Sequence, residues 1–370
     1  MSAISISPEL QTLLSASFQV KSQDFSDRYS TDYLRRLMRY HGVRPQFLDF
    51  LKKNNLEFDF QTNLSLECQN MAIGNLMSVK ELGRVSDLLA GYNIECFAYK
   101  GSLWADWLYG DVGKREFGDI DILIESRYIV EALGILEGAG YLPDSYRQYL
   151  LKYPKRSKGF FRTDYHIPLE NSSSEVLSTV EVHWQVAYPR LCFSFPSDEW
   201  IMYKQVYNLH QVALNGFQNE YQFLLLLVHH GGKERWCKLK YIADLAAYMI
   251  KHGSRTDWIF IEDIARDKGI HNLFTISLGL LKSLGLSWEV DWPVITKFIN
   301  PVPYIDIWQK MPKESANSTW PYFIQGLSVH DGLKHKSKVL FQHLTYLFEW
   351  QLLIDKIKWY SNDNPKPISD

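Results

Sequence analysis

The chain has 370 residues, enough for two or three domains with real cores, and is 46% hydrophobic and 22% charged, the balance of a soluble globular protein. A formal net charge of −2 excludes a global basic field of the kind that draws nucleic acid. Cys68, Cys96, Cys192 and Cys237 are scattered without paired spacing, the N-terminus lacks a basic n-region, and the longest apolar run, Phe223 to Val228, is too short to cross a bilayer. A reduced, cytoplasmic protein with no membrane partner is expected.

Residues 1–90 read as a helical segment. Tyr33 to Tyr40 has apolar residues at helical spacing, and Pro45 to Leu51 resumes after a Gly-Val-Arg-Pro break. Asn63 to Leu89 is a longer helical pattern, with Leu66, Met71, Ile73, Leu76 and Val79 available for burial. The period then changes. Ile94 to Tyr99 reads as a strand, and Ser102 to Leu108 as a short helix with Ser102 as its N-cap. Asp119 to Glu125 reads as a second strand, and Val130 to Ala139 as a helix stopped by Gly140. Lys152 to Arg162 is basic and aromatic and reads as a solvated loop, with Phe160 and Phe161 suited to a lid. Asp164 to Leu169 and Thr179 to Trp184 read as strands joined by a turn at Asn171 to Ser174. From about residue 198 the pattern is helical to the end, clearest over Tyr221–His230, Leu239–Lys251, Trp258–Lys268, Leu273–Leu284 and Lys338–Trp359. The expected organisation is a helical segment over 1–90, an α/β core over 91–200 and a helical domain over 201–370.

Chemistry concentrates around Lys100-Gly101-Ser102, Arg115 and Asp119-Ile120-Asp121. Alternation on a strand puts Asp119 and Asp121 on one face and the isoleucines on the other. Two adjacent carboxylates repel each other unless a divalent cation neutralises them, which points to Mg²⁺-dependent phosphoryl or nucleotidyl transfer. Glu181 and His183 share a face of a later strand. If that strand lies beside the aspartate strand, a three-carboxylate cluster results, able to hold two Mg²⁺ ions about 3.5–4 Å apart. Gly101 lets the backbone approach a phosphate, the following helix aims amides at it, and Ser102, Lys100 and Arg115 add donors and charge.

This set resembles the polymerase-β-like nucleotidyltransferase superfamily, marked by a Gly-Ser turn, an Asp-x-Asp strand and a third carboxylate on a later strand. Within it, the chain is most similar to a poorly characterised bacterial group, the uncharacterised nucleotidyltransferases. The match rests on Lys100-Gly101, Leu108-Tyr109-Gly110, Arg115, Asp119-Ile120-Asp121, Glu181-Val182-His183-Trp184, His229-His230 and Leu239 to Leu245. The gap from Gly-Ser to the aspartates is longer than in compact superfamily members. The resemblance implies an α+β fold, with a small nucleotidyltransferase mixed-sheet core flanked by an N-terminal helical segment and a C-terminal helical domain. It also implies transfer of a nucleoside monophosphate from an NTP, with ATP favoured, to an unidentified acceptor. Asp119, Asp121 and Glu181 would hold Mg²⁺, for which Mn²⁺ can substitute. Lys100, Gly101, Ser102, Arg115, His183 and Lys240 would hold the nucleotide. Nucleic acid is not an expected partner. A non-catalytic binding module and a toxin-like enzyme acting on tRNA or protein are the competing readings.

Two features carry a plain structural alternative. His229 and His230, adjacent on a helix, cannot face the same way, so one suits a hydrogen-bonded core position. Lys240 and Asp244 are four apart on a helix that could close over the nucleotide, and a simple helical ion pair explains them equally well.

Overall fold

The computed structural model describes residues 6–20, 29–171, 179–287, 298–312 and 319–361. The chain opens with α1 (Pro8–Phe18), α2 (Thr31–His41), α3 (Arg44–Asn54) and the long α4 (Gln61–Ala90). Ser7 and Ser30 start the first two by accepting the amides of Leu10 and Tyr33. Helix α4 is buried along one stripe only, through Leu64, Cys68, Val79, Leu82, Val85 and Leu89. Leu66, Ile73 and Leu76, expected inside, lie off that stripe and are 54%, 58% and 37% exposed.

A five-stranded mixed sheet follows, built from β1 (Cys96–Ala98), β2 (Asp119–Ile124), β3 (Tyr141–Pro143), β4 (His166–Asn171) and β5 (Thr179–His183). Its spatial order is β1-β2-β5-β4-β3. Strands β2 and β5 pair in parallel and the other neighbours are antiparallel. Ile120, Ile122, Val180 and Val182 are all 3% exposed or less and fix the β2–β5 register, because a one-residue slip would put Asp121 and Glu181 into the core. Helix α5 (Gly101–Tyr109) joins β1 to β2, α6 (Ile129–Gly138) follows β2, and α7 (Ser145–Lys152) and α8 (Pro154–Thr163) lie between β3 and β4.

Beyond the sheet come α9 (Ser197–Met202), a hairpin of β6 (Lys204–Leu209) and β7 (Val212–Phe217), and α10 (Asn219–Leu227). After these come α11 (Leu239–His252), α12 (Trp258–Asp267), α13 (His271–Ser283), α14 (Val302–Lys310), α15 (Thr319–Val329), α16 (Gly332–Leu347) and α17 (Trp350–Ser361). The fold is α+β, mostly helical, and the main buried cluster runs from Leu10 to Val329. No helix among the described residues is long and apolar enough to cross a membrane.

Several expectations need correction. The stretch after 198 is not all helical, since the hairpin lies within it. Lys152–Arg162 is not a loop. Pro154 opens α8, whose Arg156 and Arg162 pair with Asp355 and Glu349. Lys338–Trp359 is two helices separated at Phe348 and Glu349. Ser102 sits inside α5, and Lys100 takes the cap position. The expected turn at Asn171 to Ser174 lies outside the described residues after Asn171, which ends β4.

Candidate active site

The short strand β1 runs out at Ala98, and the Tyr99 amide donates to the Asp121 carbonyl at 3.1 Å. The chain then turns sharply. Lys100 has φ +62° and ψ −140°, a region L-residues rarely enter, at a cost on the order of 1–3 kcal/mol. Gly101 follows at φ +41°, and a Cβ there would sit 3.2 Å from the Asp119 carbonyl oxygen. The start of α5 is thereby packed against the start of β2. Its first amides have no intrahelical acceptor, and the buried Ser102 hydroxyl has no hydrogen-bond partner among the described residues.

The parallel register sets Asp121 opposite Glu181. His183 Nε2 lies 2.9 Å from Asp121 Oδ1 and 3.3 Å from Glu181 Oε2. Lys100 Nζ reaches the same Asp121 oxygen at 2.6 Å. Asp121 Oδ2 has no partner among the described residues. Burial opposes the Asp121 charge, but Lys100 and His183 outweigh it and hold the carboxyl far below the usual carboxylate range. Glu181 is likewise lowered, its burial outweighed by the His183 bond. Asp119 differs. It is exposed at the start of β2, yet partial desolvation, then the charges of Glu181 and Asp121, push it up to about 6.

Ligand atoms of Asp121, Glu181 and His183 lie within 4.8 Å of one another, a spacing that a metal ion could bridge. The oxygens of Asp119, Asp121 and Glu181 suit a hard cation such as Mg²⁺. The imidazole fits less well. His183 is fully buried and its Nδ1 has no hydrogen-bond partner, so a metal at Nε2 would move the proton to a nitrogen with no acceptor. His183 is better placed to orient the two carboxylates.

A second cluster comes from the helices. Past Leu227, α10 widens into a π turn, Val228–Lys233, a feature common near functional sites. It carries both histidines inward. His230 Nε2 is 2.9 Å from Asp244 Oδ2 on α11, and His229 Nδ1 is 2.9 Å from His230 Nδ1. A carboxylate only accepts, so His230 donates through Nε2 and receives the His229 Nδ1 proton. Asp244 also accepts from Tyr109 and from Arg115 Nε, each at 2.9 Å. Burial raises the Asp244 carboxyl, yet Arg115 and His230 bring it down to about 2. Arg115 is therefore no surface residue. It is 5% exposed, and its loop is held by Asn75 of α4, which donates to the carbonyls of Val112 and Arg115.

Lys240 does not pair with Asp244. It is half-buried, its pKa lowered by burial and then by Arg115, and its charge is felt at Asp119. Lys233 and Glu234 were missed by the sequence reading. They pair at 3.0 Å, and both act electrostatically on Tyr99, the residue before Lys100. Two glycines before Lys233, after an unbroken apolar helix, were the available signal. His166, on β4, stacks on His183 with ring centroids 5.1 Å apart and was also missed.

The family model described as "Uncharacterised nucleotidyltransferase" matches residues 29–285, and the chain belongs to that family. It is a transferase family, and membership implies a nucleotide substrate. No curated protein matches, and no solved structure does.

Proposed function

From membership of a nucleotidyltransferase family, we propose that this chain moves a nucleoside monophosphate from an NTP, ATP being favoured, to an acceptor hydroxyl or phosphate, with Mg²⁺ bound. The observation that supports this most is the in-register pairing of Asp121 with Glu181 beside Asp119, at the mouth of the Lys100-Gly101 turn. The α/β core over 91–200 would carry the chemistry, and the helices of 1–90 with the hairpin and helices of 201–370 would enclose it.

Asp119, Asp121 and Glu181 would hold the Mg²⁺, which when bound neutralises triphosphate charge and the charge of the attacking oxygen. Lys100, the first amides of α5 and the Ser102 hydroxyl bind the phosphates. Lys240 adds positive charge from α11, and Arg115, held by Asp244, adds it from the loop before β2. The acceptor oxygen forms a bond to the α-phosphorus, the bond from that phosphorus to the bridging oxygen breaks, and pyrophosphate leaves with the electron pair. Glu181, or a water beside it, takes the acceptor proton. His183 keeps Asp121 and Glu181 aligned.

Incubation with α-labelled NTPs, Mg²⁺ and pools of candidate acceptors tests the reading. Label should pass to an acceptor with wild type and not with Asp121→Asn. Transfer that survives Asp121→Asn refutes it.

One observation favours a second reading. Lys100 Nζ already sits 2.6 Å from Asp121, where a cation would otherwise be needed. A metal-independent nucleotide-binding module is consistent with that. Nucleotide affinity unchanged by chelation, with no label transferred, would favour it.

A further inference from the structure

Where the chain leaves β5 lies a cavity of about 500 Å³ lined by Gln185, Arg190, Gln342, Thr345, Tyr346 and Phe348. The size is typical of a small-molecule site. Gln185 is two residues past His183. Arg190 is 6% exposed, yet no carboxylate or carbonyl accepts from its side chain among the described residues, and its Nε is buried without a partner. Three tyrosine rings hold the guanidinium instead, with their centroids 4.4, 5.0 and 4.8 Å away for Tyr188, Tyr322 and Tyr346.

An arginine keeps its charge at any biological pH, and a buried charge without a counter-ion is costly. Elsewhere in this chain, the buried arginine of the helical cluster has its aspartate. The one carboxylate in the cavity lining, Glu349, is taken by Arg162. A guanidinium is planar, and its forked donors suit two parallel hydrogen bonds to one oxyanion. Tyr188 meets Tyr165 edge to face with ring centroids 4.5 Å apart, and Tyr165 makes a tilted contact with His183 at 5.4 Å, so the cage is joined by ring contacts to the carboxylate cluster.

We propose that this cavity is the acceptor subsite and that Arg190 binds an oxyanion, carboxylate or phosphate, on the acceptor. This rests on the transferase reading and narrows it: the acceptor carries an anionic group at one end and the attacking oxygen at the other. It explains how a site crowded with phosphate-binding cations can separate acceptor from nucleotide.

The test is calorimetric titration of the full chain with inorganic phosphate and with acetate, for wild type and Arg190→Gln, alongside α,β-methylene ATP. Wild type should bind at least one anion, and Arg190→Gln should lose at least tenfold in that affinity while keeping its affinity for the ATP analogue. Whichever anion responds identifies the group. Equal anion affinity in both proteins, or no anion binding to wild type, overturns the proposal. If Arg190→Gln fails to fold by circular dichroism, phenylglyoxal labelling of wild type with mass-spectrometric mapping decides. Protection of Arg190 by either anion supports the subsite, and absence of protection overturns it. Failure of wild type to bind the ATP analogue refutes the nucleotide reading separately, whatever the anions do.

Discussion

Replacing Asp244 with asparagine should be the most damaging isosteric change in this protein. Asp244 is 1% exposed and accepts from Tyr109, His230 and twice from Arg115. Arg115 stays charged whatever its partner does. Asp244→Asn would leave that guanidinium buried opposite a neutral amide, and breaking a buried pair from one side costs about 3–5 kcal/mol. The amide would also turn a donor toward other donors. Urea unfolding followed by tryptophan fluorescence reads the loss as a lower midpoint at unchanged slope. The pair Arg115→Met with Asp244→Asn should recover part of it, because the stranded charge is gone, giving a coupling of about 1–3 kcal/mol in a double-mutant cycle. A loss under about 1 kcal/mol for Asp244→Asn, or strict additivity, would refute the claim that this ion pair locks α11 to the loop before β2.

Glu181→Gln should reduce label transfer at least about 100-fold, since several kcal/mol of charge stabilisation are at stake, while thermal unfolding stays near wild type. Saturating Mg²⁺ or Mn²⁺, at 100 times its Kd, should stabilise wild type by about 2.7 kcal/mol, and Asp121→Asn should abolish the shift in scanning calorimetry. Gly101→Ala should cost about 1–2 kcal/mol, because its φ of +41° and the 3.2 Å approach to the Asp119 carbonyl both penalise a Cβ, and it should weaken nucleotide binding. His41 is fully buried between the Leu239 amide and the Trp308 carbonyl, and burial lowers its pKa from 6.5 to about 4. The folded state therefore favours neutral His41, and that stabilisation is complete above pH 6.5 and lost as pH falls toward 4. It amounts to about 3 kcal/mol, so acid sensitivity in this window should be smaller in His41→Gln by urea unfolding at each pH.

Much of the core was legible because strand alternation is a local signal. Asp119 and Asp121 on one face, Glu181 and His183 on another, needed only a period of two. What placed them side by side was burial of Ile120, Ile122, Val180 and Val182, also readable as alternation. The hairpin was missed for a definite reason. Its two-residue loop, His210 and Gln211, has φ of 48° and 71°, a geometry normally announced by Asn or Gly, and neither is present. Helix α8 was missed because its basic residues suggested solvent, whereas Arg156 and Arg162 find acids nearly 200 residues later. The same distance problem hid the partner of Arg115, itself singled out from the sequence: Asp244 is 129 positions away, and local sequence offered only Lys114 and Glu116 as neighbours.

The parallel pairing of β2 with β5 has a consequence in time. Asp121 and His183 are 62 positions apart, and a chain growing from its N-terminus carries the aspartates long before Glu181 exists. Until residue 183 emerges, β2 has only β1 beside it, and its two acids have neither the third carboxylate nor the histidine that aligns them. Contacts this distant close late, since the loop between them must be ordered first. The cluster of Asp121, Glu181 and His183 is thus completed in one step, when β5 slots in between β2 and β4. On the proposed reading, a chain truncated before β5 would keep the Lys100-Gly101 turn yet lack the paired carboxylates, so it should transfer no label.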